Sequence, residues 1–294
     1  MFGSIRSLAE EAKKQNKKIS EIVLKNQITE TGRSKESLFE EMKETLKVME
    51  ESAKEGCQKD LRSISGLTGG DAYKMKRYTL QGKNLLGASF GQALTKALAI
   101  SELNAAMGKI VAAPTAGSCG ILPACLLSMK EDYKISENDT VMALFTAAGI
   151  GMVIANKASI SGAEGGCQAE CGSASAMAAG ALVELAGGTP DMVCNACAIA
   201  LKSVLGLVCD PVAGLVEVPC IKRNTMGTAN AFTAAELALA GIESRIPVDE
   251  VIAAMKLIGQ QMPGCLRETA AGGLAVTDTG KEIYKNVYGK SPSR

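Results

Sequence analysis

The stretch TPDMVCNACAIALKSVLG, Thr189 to Gly206, decides the fold. Its opening follows the order a helix N-terminus requires. Thr189 is a cap, Pro190 takes the first helical position where no N–H is needed, and Asp191 sits beside the positive end of the helix dipole. Beyond that start, Cys194, Cys197, Ala198, Leu201 and Leu205 recur at three- and four-residue steps, the apolar stripe of an α-helix. The device returns elsewhere. SENDTVMALFTAAGIG, residues 136–151, places Ser136 three residues before Asp139 in a capping-box-like start. PVDEVIAAMKLIGQQMPG, residues 247–264, carries Pro247, Asp249 and Glu250 at its head and stops near Pro263 and Gly264. Alternating strand patterns are scarce, and Val216, Val218 and Ile221 form one candidate extended piece. The sequence predicts a mainly α protein: a compact multi-helix domain with Gly- and Pro-rich loops.

Composition agrees. Of 294 residues, 47% are hydrophobic but only 3% aromatic, and tryptophan is absent. Such a core must be filled by Ala, Gly, Leu, Val, Ile and Met, whose small members let helices approach closely. The net charge of +1 gives no reason to expect nucleic acid or an anionic membrane surface as partner. Residues 1–56 are charge-rich, with Leu38, Met42, Leu46 and Met49 at helical spacing. They read as a charged amphipathic helical region, either a solvated hairpin or an arm against a partner. From Cys57 the chain turns Gly- and Ala-rich, so the expected division is 1–56 and 57–294 within one continuous domain. The apolar run Val141 to Ala155 is shorter than the roughly 20 residues of a membrane span and ends at Asn156 and Lys157. It reads as a buried core helix. Met1 to Glu10 is polar and lacks the apolar stretch of a signal peptide, which points to a reducing, cytoplasmic location.

The chain has ten cysteines and no histidine. Without histidine, no Ser-His-Asp triad, HExxH zinc site, two-histidine iron site or His-Cys-Cys deaminase site can be completed within it. Three cysteine groups compete for chemistry: Cys167 with Cys171, Cys194 with Cys197, and Cys209 with Cys220. The CxxC spacing of Cys194 and Cys197 suits zinc, iron–sulfur and redox sites. On its helix, however, the pair falls in the apolar stripe, where cysteine behaves as a small hydrophobe. Cys167 instead follows a glycine-rich loop, SGAEGGCQ, and Cys209 and Cys220 bound VCDPVAGLVEVPC, whose prolines prevent one continuous helix. Such a loop can turn two thiolates toward one point; core packing remains the competing account.

A second feature is APTAGSCGILPACLLSM, residues 113–129. Thr115, Gly117, Ser118 and Gly120 precede an apolar helix starting near Ile121, and exposed N–H groups beside hydroxyls suit a carboxylate or phosphate. An ordinary helix cap would look the same. Neither GxxxxGK[ST] nor GxGxxG occurs.

At these segments the chain resembles a known family. APTAGSCGILPA, EGGCQAECGSASAMAAGAL, LGLVCDPVAGLVEVPCIKRN and RETAAGGLAVTDTGK, together with LTGGDAYKM and MGTANAFTAAELALAG, look like the alpha chain of the iron–sulfur-dependent bacterial L-serine dehydratases. The likeness runs from about Leu67 to Lys281. It implies a mostly helical catalytic domain that converts L-serine to pyruvate and ammonia with a four-iron, four-sulfur cluster in place of pyridoxal phosphate. It puts the cluster ligands on Cys167, Cys209 and Cys220, leaving one iron open to polarise the substrate. The substrate-binding expectation falls on Thr115, Gly117, Ser118, Gly120 and Asn230. Lys74, Ser118 or a group from the beta chain are the candidates for the base that takes the α-proton. In the two-chain version a beta chain carries a Ser-Ser-Ser-His-Thr motif, which this chain lacks, so a separate partner is implied. In single-chain relatives a C-terminal cysteine can fill the open iron position; no cysteine follows Cys265 here. A non-catalytic scaffold or regulatory chain stabilised by metal is the alternative.

Overall fold

The computed structural model describes residues 3–289. These form 13 α-helices and, among the described residues, no strand beyond one bridge pair, Cys209 with Arg267. The first layer is α1 (Ile5–Gln15), α2 (Ile19–Thr31) and α3 (Lys35–Glu55). Then come α4 (Asp71–Leu80), α5 (Gly87–Ala105), α6 (Ile121–Asp132) and α7 (Glu137–Lys157). The one-turn α8 (Gly162–Gly165) leads to α9 (Ser173–Leu185) and α10 (Pro190–Lys202). The chain finishes with α11 (Cys220–Leu239), α12 (Val248–Gln261) and α13 (Asp278–Tyr288).

Helix α9 is the axis of the molecule, packed by α6, α7, α10 and α11. Twelve of its thirteen residues are buried, most of them Ala, Ser or Gly. This is how a core with few rings reaches interior density: small side chains bring the helices close. At Gly180 an added Cβ would lie 2.4 Å from Ile150 Cδ1 and 3.1 Å from Cys197 Sγ.

The caps follow the sequence pattern. Thr189 Oγ1 accepts the Met192 N–H (3.3 Å) with Pro190 in the first turn of α10. Ser136 Oγ accepts the Asp139 N–H (3.1 Å) and donates to its carboxylate (2.6 Å). Asp249 does something else. Its carboxylate accepts the N–H groups of Ile5 (2.9 Å) and Arg6 (3.1 Å), capping α1 from α12. Ile5, Leu8 and Ala12 are fully buried, and one apolar core runs from Ile5 to Met255. The change in composition near residue 56 therefore coincides with the end of α3 and not with a break in the core. Helix α7 is long and apolar enough to cross a membrane by length and composition. Its apolar surface is spent inside the bundle, where Val141, Leu144, Ile150 and Ile154 are buried.

The extended piece expected around Val216 is absent. Val216 and Val218 lie in a bend and a turn, and Ile221 belongs to the first turn of α11, which starts directly after Pro219.

Candidate active site

Each of the three cysteines has its own local anchor. Cys167 follows Gly166, whose left-handed backbone (φ +74°) leaves no room for a side chain: a Cβ there would stand 2.9 Å from the Leu207 carbonyl. It enters a π-helical turn, Gln168–Gly172, a form enriched at functional sites. Gln168 nails that turn down. Its N–H donates to the Leu207 carbonyl (3.0 Å), its amide Nε2 to the Met255 carbonyl (3.0 Å), and its Oε1 accepts the Gly206 N–H (2.9 Å). Cys209 is held through its main chain, donating to the Leu266 carbonyl (2.9 Å) and accepting the Glu268 N–H (2.8 Å). Cys220 is the first residue of α11.

The three thiols are all buried and lie within reach of one another's charge. All ten cysteines are unbridged. Cys209 and Cys220 each feel the charge of Cys167, and Cys209 that of Cys220. Burial pushes the Cys220 thiol up to about 12, with Cys167 and Glu170 adding to it, and raises Cys209 as well. Cys167 goes the other way. Its hydrogen bond with Cys171, sulfur to sulfur at 3.3 Å, lowers the Cys167 thiol; burial opposes this and the Arg223 guanidinium assists it. Arg223 donates from Nη1 to the Val208 carbonyl and from Nη2 to Asp210 Oδ1, both at 2.8 Å. Asp210 in turn accepts the Leu274 N–H (2.9 Å), which ties the last loop to the centre. Gly162 gives the closest approach, since a Cβ there would sit 3.0 Å from Cys209 Sγ and 3.1 Å from Glu268 Oε2.

Among the described residues, no three His, Cys, Asp or Glu side chains close on a single metal ion. Buried thiols within reach of one another's charge, with an arginine beside them, are the donor chemistry an iron–sulfur cluster would need, each thiolate holding a different iron.

The Thr115–Gly120 segment lies against this centre. Asn224, one turn into α11, makes the joint: its Nδ2 donates to the carbonyls of Cys220 (2.9 Å) and Gly117 (2.7 Å), and its Oδ1 accepts the Gly120 N–H (2.9 Å). Ser118 is fully buried with its hydroxyl 3.0 Å from Thr115 Oγ1. Thr115 Oγ1 donates to the Glu170 carboxylate, and a Cβ on Gly117 would fall 2.6 Å from Glu170 Oε1. Burial raises the Glu170 carboxyl above its ordinary range; the Thr115 hydroxyl opposes this and the Glu268 charge adds to it.

Two expected residues are not brought here. Lys74 is exposed on α4 and ion-paired with Asp71 (2.9 Å), which also holds Lys222 (2.5 Å). Asn230 stands ten residues beyond Cys220, about 15 Å along the helix, and its Nδ2 donates to the Ala200 carbonyl (2.9 Å). Glu170, Arg223 and Asn224 are the polar residues that sequence reasoning missed. Asn224 and Cys220 at i and i+4 on one helix face was the only local signal.

Fold and site together define an all-helical protein built around a buried, unbridged three-thiol centre with a hydroxyl-bearing loop beside it. Residues 14–275 match the family described as Serine dehydratase alpha chain. The chain is 53% identical over 289 residues to the probable L-serine dehydratase alpha chain of Bacillus subtilis (strain 168), covering 98% of this chain and 96% of that one. It is 44% identical over 287 residues to the L-serine dehydratase alpha chain of Peptoniphilus asaccharolyticus, covering 97% and 98%. It is also 41% identical over 266 residues to the L-serine dehydratase of Streptomyces coelicolor, covering 88% of this chain and 57% of that one. This chain belongs to the serine dehydratase alpha chain family.

Proposed function

We propose that this chain is the catalytic alpha chain of an L-serine dehydratase, a lyase giving pyruvate and ammonia. It works with a four-iron, four-sulfur cluster on Cys167, Cys209 and Cys220 and without pyridoxal phosphate. The observation that carries the reading is that those three buried thiols lie within reach of one another's charge beside the Thr115–Gly120 loop. The bound cluster supplies a Lewis-acidic iron that makes hydroxide a workable leaving group.

The chain's own residues do the rest. The thiols fix the cofactor, and Arg223 offsets part of the negative charge that three thiolates bring together. Asn224 keeps the hydroxyl-bearing loop in register with Cys220, where misplacement of a substrate costs rate steeply. The α-proton is taken by a group from a separate beta chain, in which a Ser-Ser-Ser-His-Thr motif supplies the histidine this sequence lacks. Two relatives are named as alpha chains, and the Streptomyces enzyme extends well beyond the part this chain matches, both of which support a two-chain assembly. Ten unbridged cysteines suit a reducing cytoplasm.

The test is anaerobic purification of the chain with its beta partner. The complex should be brown, hold about four irons per alpha chain and release pyruvate from L-serine. Colourless, iron-free protein with full activity overturns the reading, as does full turnover by the alpha chain alone.

A further inference from the structure

Four glutamates are buried among the described residues, and three of them each meet two hydrogen-bond donors. Glu102 accepts the N–H groups of Asp71 (2.8 Å) and Ala72 (3.1 Å) at the positive end of α4. Glu184 accepts the Thr146 hydroxyl (2.7 Å) and the Ser20 N–H (3.3 and 3.4 Å) in the first turn of α2. Glu217 accepts the hydroxyls of Ser65 (2.7 Å) and Thr68. Glu170 differs from all three. Its one hydrogen bond among the described residues comes from Thr115, it caps no helix, and the charge that acts on it, that of Glu268, is negative. A buried carboxylate left this way is costly in its charged form, and either a proton or an incoming cation relieves that cost.

The surroundings show where a cation would come from. Glu170 lies close enough to the thiol centre for its charge to be felt by Cys167, Cys209 and Cys220. Thr115 is only partly buried and Ala116 is exposed, so this side of Glu170 has a path to solvent. Two of the groups that this loop offers to an anion are already taken. Its threonine hydroxyl is committed to Glu170, its Gly120 N–H to Asn224, and an incoming carboxylate would meet a like charge. The other end of an amino acid has the opposite sign.

We propose that Glu170, with the hydroxyls of Thr115 and Ser118, is the receptor for the α-ammonium group of the substrate. The carboxylate and β-hydroxyl are then left for the cluster side of the site. This rests on the L-serine dehydratase reading and deepens it: Glu170 is what separates an amino acid from a hydroxy acid or a simple carboxylate of the same shape. Gly117 belongs to the device, because any side chain there would displace the carboxylate.

The experiment uses the anaerobic alpha–beta complex and the isosteric variant Glu170→Gln, with iron content and melting temperature as controls. The KM for L-serine should rise at least tenfold, roughly the loss of one charge-assisted hydrogen bond. The competitive inhibition constant of L-glycerate, which has a hydroxyl in place of the ammonium, should stay within about twofold, because the carboxamide oxygen of the variant still accepts from a neutral donor. Parallel rises for serine and glycerate, or an unchanged KM, overturn the proposal. Should the variant not assemble, the unmodified complex decides: L-alanine must compete more strongly than propionate, which differs only by the ammonium, and equal inhibition by the two overturns it. Wild-type complex that holds no iron or makes no pyruvate rejects the dehydratase reading itself, whatever Glu170 does.

Discussion

Two regions of the molecule set cysteines in chemically suggestive patterns, and only one of them uses sulfur for more than volume. On α10, Cys194 and Cys197 have the spacing of a metal or redox motif, yet each is turned to a main-chain carbonyl, of Ile5 (3.9 Å) and Ala176 (3.4 Å) respectively. Cys197 packs against the Gly180 gap of α9 as a small apolar side chain. At the other site, Cys167, Cys209 and Cys220 come from a π-turn, a loop and a helix start, and what each senses is another thiol, a glutamate or Arg223. Spacing along the chain is thus a poor guide here. Surroundings differ: a thiol among aliphatics and a carbonyl packs as filler, while thiols within reach of one another's charge and of a guanidinium are the set proposed above as cluster ligands.

Substitution can break that contrast directly. Replacing Cys167, Cys209 or Cys220 by Ala should take iron from about four per chain to near zero and activity down by ~100-fold or more, while Cys194→Ala and Cys197→Ala keep both. Iron analysis and visible absorbance on anaerobic complexes read this out, and iron loss in the Cys194 variant would erase the distinction. Next in size is Asn224→Ala, which frees two carbonyls and one N–H at the joint between Cys220 and the loop. Its kcat/KM should fall by ~10–100-fold, as for other residues that orient ligands from behind, with iron retained. Gly180→Ala probes the packing region alone. Overpacking against Ile150 should cost ~1–3 kcal/mol, seen as a lower melting temperature with the cluster spectrum unchanged. Cys197→Ala should be smallest, ~1 kcal/mol for the lost sulfur volume.

Helix starts were legible because their causes are local: Thr189 with Pro190, and Ser136 with Asp139, act over three residues. The same logic put Asp249 in the first turn of α12, where it stands, but not its second role: its carboxylate also serves the start of α1, 243 and 244 residues away along the chain. The choice of Cys167, Cys209 and Cys220 came in part from helix-breaking loops and mainly from resemblance to a family, and their mutual nearness needed the fold. The rest of the site was not, for a physical reason. Glu170 sits on a π-turn and meets Thr115 across 55 positions, and Asn224 reaches Gly120 across 104. Such contacts exist only once α9 and α11 have packed. Lys74 and Asn230 show the converse: both sit in family-like phrases, but helix phase gives one to solvent and Asp71 and the other to the Ala200 carbonyl.

The side-chain amide of Asn224 has all three of its bonds taken inside one small triangle of backbone. It therefore works as a rivet, since neither end can swing away without breaking the other. The first turn of α11 and the 115–120 loop must move as one rigid piece. On the cluster reading proposed above, whatever seats Cys220 also seats the loop, so loading would come before readiness for substrate, and a chain stripped of iron should loosen at residues 115–120 as well as at its thiols.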